Sequence, residues 1–363
     1  MTTKQLTQTA HHPSQPTDRG VQVGLAAASA WSLFLMIMSV LWGLGIVASP
    51  LAGDEKWTFT SLVASLPAPA VAGVIGFVAL VSFVLAVVPL SVPRLRERLR
   101  ERSGVCLIGL IALALTAVVT VVFTDTLLLA YLGYTLSFQF PPIPAPVIWQ
   151  AVLLIGPVLW LVTWAAAERP YRVEGRMPHR SGSGAVPRER RGASSVSTGA
   201  KVAVAVAIIV PGFYALTRIS WAVGIPLGLS EGLFDEGQRV GMWHSGLALA
   251  LAAIGGILLT LGLVQKWGER LPAWLGPLGG RRVPIPLATV PATIVSLALF
   301  TGGIGLVRTM LGGPPEVFGD SWWATIGPTL LFPVWGIALG WATYAYRERR
   351  LAAETEAPAE PRS

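Results

Sequence analysis

The chain has 363 residues, of which 53% are hydrophobic and only 13% are charged, and its formal net charge is +8. An ordinary soluble domain has about 25% charged residues, so this composition excludes a water-soluble globular protein. The apolar residues form long blocks rather than narrow amphipathic stripes, which is typical of helices that span a membrane.

Eight apolar blocks predict an all-α fold, a polytopic bundle of eight transmembrane helices. At about 1.5 Å per residue, each block is long enough to cross a hydrocarbon core of about 30 Å. Helices suit this environment because they satisfy their own backbone hydrogen bonds. The blocks cover residues 22–48, 70–90, 105–131, 147–167, 202–222, 240–264, 285–309 and 323–346.

Polar segments without hydrophobic periodicity flank and divide the apolar blocks. We predict a disordered cytoplasmic arm over residues 1–20 and a disordered tail over 347–363, because both are rich in polar residues or in Ala, Glu and Pro. Glycine, serine and arginine dominate a predicted flexible linker, residues 169–201. The linker separates two predicted four-helix halves, residues 21–168 and 202–346.

The basic residues are distributed unevenly among the loops. If both termini are cytoplasmic, all but four of the 27 lysines and arginines lie on the inner side. Short loops rich in Lys and Arg stay in the cytoplasm, so we predict cytoplasmic termini and a multi-pass protein of the cell (plasma) membrane. Topology then accounts for the positive charge, and we expect inner loops that attract anionic lipid headgroups rather than nucleic acid. The four exceptions are Lys56, Arg218, Arg239 and Arg308.

Sequence motifs for catalysis in membranes are missing. There is no HExxH or Walker A sequence, and Cys106 is the single cysteine, so no CxxC pair exists. His244 is the only histidine in an apolar block, which leaves no histidine pair for a haem. We therefore expect no metal, no cofactor and a function that is more plausibly non-catalytic than enzymatic.

Three charged residues lie at similar depth near the predicted outer ends of helices, namely Asp125, Arg218 and Arg308. Such charges are uncommon and tend to pair or to mark a pathway. In one interpretation the arginines extend to the surface and Asp125 caps a helix or pairs with one of them. In the other, the arginines hold an anionic group in an outer-leaflet cavity, because a guanidinium binds carboxylate or phosphate bidentately. His244 is the fourth candidate ligand-binding residue, with a polar interface residue as its alternative.

Tryptophans and an acidic segment mark the predicted membrane interfaces. The segment LSEGLFDEG, between the fifth and sixth blocks, predicts a short acidic helix. Trp221 and Trp243 flank this loop and are predicted aromatic anchors. On the inner side, Trp267 and Trp274 are predicted anchors of a helix that lies on the membrane surface.

The segments TRISWAVGIPLGLSEGLF and GLVQKWGERLPAWLGPLGGRRVP resemble a group of uncharacterised multi-pass membrane proteins of high-GC Gram-positive bacteria. The resemblance covers mainly residues 205–346. It implies the membrane class and brings no assigned activity or catalytic residue.

Two functions follow as expectations. The first is transport or binding of a small anionic or lipid-like ligand from the outer-leaflet side, which predicts that the four candidate residues converge on one polar cavity. The alternative is a non-catalytic scaffold or a partner subunit of a larger complex, with a protein partner or a second copy of the chain docked on its loops. That alternative predicts scattered charges. An intramembrane enzyme acting on lipid would need a clustered acid or base, for which few candidates exist.

Overall fold

The computed structural model of the protein consists of helices joined by turns and loops, without a β-strand in the part of the chain that it describes. The predicted all-α class is confirmed. One isolated antiparallel bridge pairs Arg270 with Arg282. The described residues are 16–52, 61–63, 66–99, 101–136, 138–174, 196–271, 273, 276, 279–311 and 316–356.

Short loops and single turns connect α-helices that range from four to 30 residues in length. Among the described residues, the 3₁₀ segments between them include Lys266–Gly268, Glu316–Ser321 and Gly327–Leu331. The α-helices are α1 (Pro16–Gly43), α2 (Ala68–Ser91), α3 (Pro93–Arg98), α4 (Arg102–Val118, continued by a π-helical turn Val119–Phe123), α5 (Leu127–Leu136), α6 (Ala145–Glu174), α7 (Thr198–Ala222), α8 (Glu231–Arg239), α9 (Met242–Gly262), α10 (Ile285–Leu311), α11 (Trp322–Thr325) and α12 (Phe332–Glu356).

In the described part of the chain, seven helices are long and apolar enough to cross a membrane, and an eighth candidate is broken. The seven are α1, α2, α4 with its π-helical turn, α6, α7, α9 and α10. The eighth consists of Gly319–Thr325 and Gly327–Ala353, which are bent by 44° relative to each other. Only 22% to 50% of each span is buried inside the protein, so much of the apolar surface is left for lipid. The described residues therefore contain seven or eight candidate spans, where the blocks predict eight.

Several helices extend beyond the predicted segment boundaries. The first starts at Pro16, inside the predicted arm, and the last continues to Glu356, inside the predicted tail. The predicted linker loses residues at both ends, because α6 continues to Glu174 and α7 begins at Thr198. Proline suits the first turn of a helix, and Ala, Arg and Glu are good helix formers, so helices continue outside the apolar blocks. The remainder of the predicted arm, linker and tail lies outside the described residues.

The third apolar block, predicted as one helix over residues 105–131, forms two helices. The interruption lies between Phe123 and Leu127. The Thr124 hydroxyl donates to the Thr120 carbonyl (2.7 Å), and the Asp125 carboxylate accepts from the Leu127 N–H (2.7 Å). Threonine and aspartate side chains that bond to nearby backbone groups compete with the helix, and Asp125 here forms a turn of that kind.

The chain divides into two compact units that differ from the predicted halves. The first unit comprises residues 1–54, 63–119 and 151–182, and the second comprises 55–62, 120–150 and 183–363. Residues 120–150 were predicted in the first half and belong instead to the second unit. The reason is packing, because α5 lies against α10: a methyl group at Gly302 would be only 2.4 Å from the Cβ of Leu129.

A chain of buried polar side chains links three helices in the first unit. The Ser32 hydroxyl of α1 and the Trp160 indole of α6 both donate to the Ser82 hydroxyl of α2, at 2.9 and 3.0 Å. All three side chains are buried. Polar contacts of this kind join helices in membranes, where the hydrophobic effect between helices is weak.

The second unit has its core among α7, α9, α10 and α12. Small and aromatic residues alternate there, with Ala207 and Ala250 fully buried and the Tyr214 ring packed edge-on against Phe332. The Ser296 hydroxyl of α10 donates to the Gly336 carbonyl of α12 (2.7 Å). This core positions the ends of α7 and α10, which carry Arg218 and Arg308.

Candidate functional site

Two helix interruptions lie in the second unit, and an arginine from another helix binds each of them. The first interruption separates α4 from α5, and the second is the bend between α11 and α12. A helix end leaves up to four carbonyl oxygens without a partner inside the helix. In lipid each such oxygen needs a donor from elsewhere in the protein.

Arg308 of α10 supplies donors at the first interruption. Its Nη1 donates to the Val121 carbonyl (2.7 Å), and its Nη2 donates to the Thr124 carbonyl (3.3 Å). A cation at the C-terminal end of a helix also complements the helix dipole. Arg308 therefore caps the helical turn that ends at the first interruption.

Asp125 lies inside the same interruption and is 5% exposed. Its backbone N–H donates to the Gln150 side-chain oxygen (3.4 Å), and its carboxylate accepts the Leu127 N–H at the start of α5. The carboxylate and the Arg308 guanidinium attract each other electrostatically. The structure thus brings Asp125 and Arg308 together, as the pairing interpretation predicts.

Gly305 allows α10 to come close to this interruption. A methyl group there would lie 3.2 Å from the backbone nitrogen of Thr126 and from the carbonyl carbon of Asp125. Any side chain would push the backbone of the interruption away from Arg308. Glycine at this position therefore keeps the arginine within reach of its two carbonyl acceptors.

Arg218 of α7 acts in the same way at the second interruption. Its Nη1 donates to the Ala324 carbonyl (3.0 Å) and to the Thr217 hydroxyl (2.9 Å), and its Nη2 donates to the Thr325 carbonyl (2.6 Å). The two carbonyls belong to consecutive residues at the end of α11. Arg218 therefore caps α11 just before the chain bends into α12.

Two aromatic rings flank the Arg218 guanidinium. The centroids of the Tyr214 and Trp221 rings lie 4.4 and 4.5 Å from its central carbon. A guanidinium over aromatic faces gains a cation–π attraction that strengthens as water is removed. Arg218 is thus held inside the protein rather than extended into solvent, in contrast to the surface-reaching interpretation.

The four predicted ligand-binding residues are distributed over three places. Asp125 and Arg308 share the first interruption, Arg218 lies at the second, and His244 is exposed at the start of α9. Sequence reasoning missed Gln150 and Tyr214, which contact this set. Gln150 had a usable signal, since it is a polar amide in the apolar block 147–167.

Trp221 and Trp243 are not exposed anchors, contrary to prediction. They are 3% and 5% exposed, and their ring centroids lie 5.0 Å apart. Their indole nitrogens donate to the carbonyls of Leu227 and Phe234 in the connecting loop. Both rings are large enough to form a local core, so they hold this loop in place instead of facing lipid headgroups.

The acidic helix predicted in that loop is confirmed as α8. Its carboxylates, Glu231, Asp235 and Glu236, are exposed, and Glu236 pairs with Arg239 one turn later. The backbone N–H of Ser230 donates to the Ser321 hydroxyl (2.8 Å), which joins this loop to the segment that precedes α11.

The helix predicted on the membrane surface after α9 is not continuous where the structure describes the chain. Lys266–Gly268 forms a 3₁₀ turn, and Arg270, which pairs with Arg282 in the isolated bridge, lies outside any helix. Trp267 is 36% exposed, as an interface anchor would be. Trp274 lies outside the described residues.

The described residues contain no group of three or more His, Cys, Asp or Glu side chains that could hold a metal ion. The resemblance in the second half stays a prediction. No protein-family model, no curated protein and no solved structure matches the chain.

Proposed function

We propose that this membrane protein binds or transports a small anionic or lipid-like ligand, and that Arg218 holds the anionic group. One observation carries the proposal: the two terminal nitrogens of Arg218 donate to the consecutive carbonyl oxygens of Ala324 and Thr325, at an interruption between two helices. Interrupted helices line the substrate sites of many transporters.

The two carbonyl oxygens occupy the positions in which a guanidinium receives the paired oxygens of a carboxylate or phosphate. Hydrogen bonds from arginine to such charged oxygens are about twice as strong as those to neutral ones. A ligand with two anionic oxygens is therefore expected to replace Ala324 and Thr325 as the acceptor and to release the end of α11. In this proposal, ligand binding and the conformation of the bend compete for one side chain.

The charge balance favours Arg218 over Arg308 as the ligand residue. Arg308 faces Asp125, whereas no carboxylate in the described part of the chain pairs with Arg218. A half-buried cation surrounded by neutral acceptors and two aromatic rings attracts an anion more strongly than a compensated one. Asp125 and Arg308 then have the structural role of fixing the first interruption.

The proposed orientation has both termini in the cytoplasm and eight spans, with Gly319–Ala353 as one bent span. It follows from the distribution of basic residues and places α8 and both interruptions on the outer side of the plasma membrane. The ligand would reach Arg218 from that side. The inner basic loops would contact anionic lipid headgroups.

Native mass spectrometry of the detergent-purified protein tests the proposal. We expect the wild type to retain a small anion or lipid, and Arg218→Gln to lose it. Arg218→Lys, which keeps the charge but lacks the planar fork, should retain less ligand than the wild type. Arg239→Gln is the matched control, because Arg239 is exposed and pairs with Glu236 on the same helix, α8. This variant should retain as much ligand as the wild type does.

Thermal unfolding of each variant checks that loss of the cap has not unfolded the protein. Identical spectra for the wild type and a folded Arg218→Gln variant would contradict a ligand role for Arg218. A wild type that carries a protein or a second copy of the chain, and no small molecule, would support the scaffold alternative instead.

A further inference from the structure

The loop between α9 and α10, residues 263–284, has an ordered core where a surface helix was predicted. The Leu271 N–H donates to the Arg281 carbonyl, and the Val283 N–H donates to the Glu269 carbonyl, both at 3.0 Å. These two bonds flank Arg270 and Arg282, which are paired in the antiparallel bridge. The segments 269–271 and 281–283 therefore form a clip that two backbone hydrogen bonds close.

The position of the flanking bonds makes Arg270 and Arg282 a non-hydrogen-bonded pair. In such a pair the two side chains lie on the same face and closer together than in the hydrogen-bonded kind. Like charges directly opposite each other are destabilising. Two guanidinium groups on one face therefore repel each other, and an anion between them would remove that repulsion.

The protein itself does not supply that anion among its described residues. Arg270 and Arg282 are exposed, and no described carboxylate pairs with either. The acid next to the bridge, Glu269, is bound by Arg349 of α12 (3.1 Å). Two more exposed cations, Lys266 and Arg281, lie in the same loop.

Side chains at the end of α12 form hydrogen bonds with the backbone on both sides of the clip. The Tyr346 hydroxyl donates to the Gly268 carbonyl (2.8 Å), and Nη2 of Arg350 donates to the Val283 carbonyl (2.9 Å). Arg350 also donates to the Tyr346 hydroxyl (2.6 Å), and it is only 7% exposed. This buried clamp fixes the backbone spacing of the arginine pair, so the backbone loses little conformational entropy when an anion binds.

We propose that Arg270 and Arg282 form a binding site for the phosphate group of an anionic lipid headgroup. A phosphate between the two guanidinium groups would accept charge-assisted hydrogen bonds from both and would cancel their repulsion. The loop directly joins two membrane spans, and the partly exposed Trp267 in it is suited to headgroup depth. The lipid is therefore the source of phosphate nearest to the pair.

The inference deepens the proposed contact between basic loops and anionic headgroups and rests on it. It differs by assigning one preorganised site instead of a general attraction. Arg94 and Arg98 provide the matched control, since both are exposed, one helical turn apart on α3, in another basic loop. Changing either pair removes two positive charges.

The experiment is a titration of the full-length, delipidated protein in detergent with phosphatidylglycerol or phosphatidylcholine, in which native mass spectrometry counts the bound lipids. The wild type should prefer phosphatidylglycerol. Arg270→Gln with Arg282→Gln should weaken the tightest phosphatidylglycerol site about tenfold or more, as expected for the loss of charge-assisted hydrogen bonds. Arg94→Gln with Arg98→Gln should change it less than about twofold, because separate surface charges contribute little.

A third variant tests the clamp. Tyr346→Phe keeps every charge and removes the hydroxyl that bonds to Gly268 and Arg350, so the tightest site should weaken without a change in net charge. Equal losses in the two double variants would overturn the specific site and leave the general attraction intact. No preference for phosphatidylglycerol in the wild type would overturn both. If millimolar inorganic phosphate displaces the lipid completely, the lipid source is overturned and a free anion takes its place.

Discussion

At the scale of single residues, Asp125 and Arg308 act on the two ends of one helix interruption. Arg308 binds the carbonyls that end α4, and Asp125 binds the N–H that starts α5. The pair therefore caps both ends of the interruption, and the two capping side chains also attract each other electrostatically. Neither residue has to contact a ligand for its charge to be needed.

We expect Asp125→Asn and Arg308→Gln each to lower the free energy of unfolding by about 1–3 kcal/mol, because the first removes the electrostatic attraction to Arg308 and the second removes hydrogen bonds to the Val121 and Thr124 carbonyls. Asparagine still offers an oxygen to the Leu127 N–H, so Asp125→Asn isolates the charge. The double variant should lose less than the sum of the single losses. Chemical unfolding in detergent measures all three, and strictly additive losses would show that the two charges act independently.

Depth along a helix is readable from the sequence, but lateral position is not. Asp125, Arg218 and Arg308 were predicted at one depth, and depth alone permitted a common cavity. The fold instead joins Arg308 to Thr124, 184 positions away, and Arg218 to Ala324, 106 positions away. Such pairings depend on which helices are neighbours, and hydropathy carries no information on that.

At the scale of elements, hydropathy located the seven candidate spans and the broken eighth in the described part of the chain, but not the interruptions in two of them. The Thr-Asp-Thr sequence at 124–126 held a local signal for the first interruption, because these side chains bond to nearby backbone groups. The bend at Ile326 depends instead on the carbonyls of Ala324 and Thr325, which accept hydrogen bonds from Arg218, a residue far away in the sequence. The clip in the loop after α9 was missed for a similar reason, since residues of α12 form the hydrogen bonds that stabilise it.

Close packing of α5 on α10 yields a prediction for Gly302. Alanine there would bring its methyl group within 2.4 Å of the Leu129 Cβ, so Gly302→Ala should lower stability by about 1–3 kcal/mol through overpacking. Gly255 is the control, because a methyl group at this α9 position meets no atom within 4 Å. Gly255→Ala should stabilise by up to about 1 kcal/mol, as alanine is the better helix former.

Unfolding midpoints of the two glycine variants, measured in the same detergent, test both stability predictions. A Gly302→Ala protein as stable as the wild type would mean that α5 is not packed tightly on α10. It would also remove the reason for assigning residues 120–150 to the second unit.

At the scale of the whole molecule, all of the functional proposals depend on which face of the membrane each loop occupies. The ligand at Arg218 is proposed to arrive from outside, and the lipid phosphate at Arg270 and Arg282 is proposed to lie inside. Both assignments rest on the distribution of lysines and arginines, which sets orientation during insertion. An inverted protein would exchange the two faces and reverse both proposals.

Cysteine labelling in intact cells tests the orientation, starting from a Cys106→Ser background that removes the single native thiol. Asp235→Cys on α8 and Arg281→Cys in the α9–α10 loop are both exposed positions. A membrane-impermeant maleimide should label the Asp235→Cys protein in intact cells and the Arg281→Cys protein only after permeabilisation. The reverse pattern would place Arg218 toward the cytoplasm, where its ligand would have to be an intracellular anion, and would turn the paired arginines toward the outer leaflet.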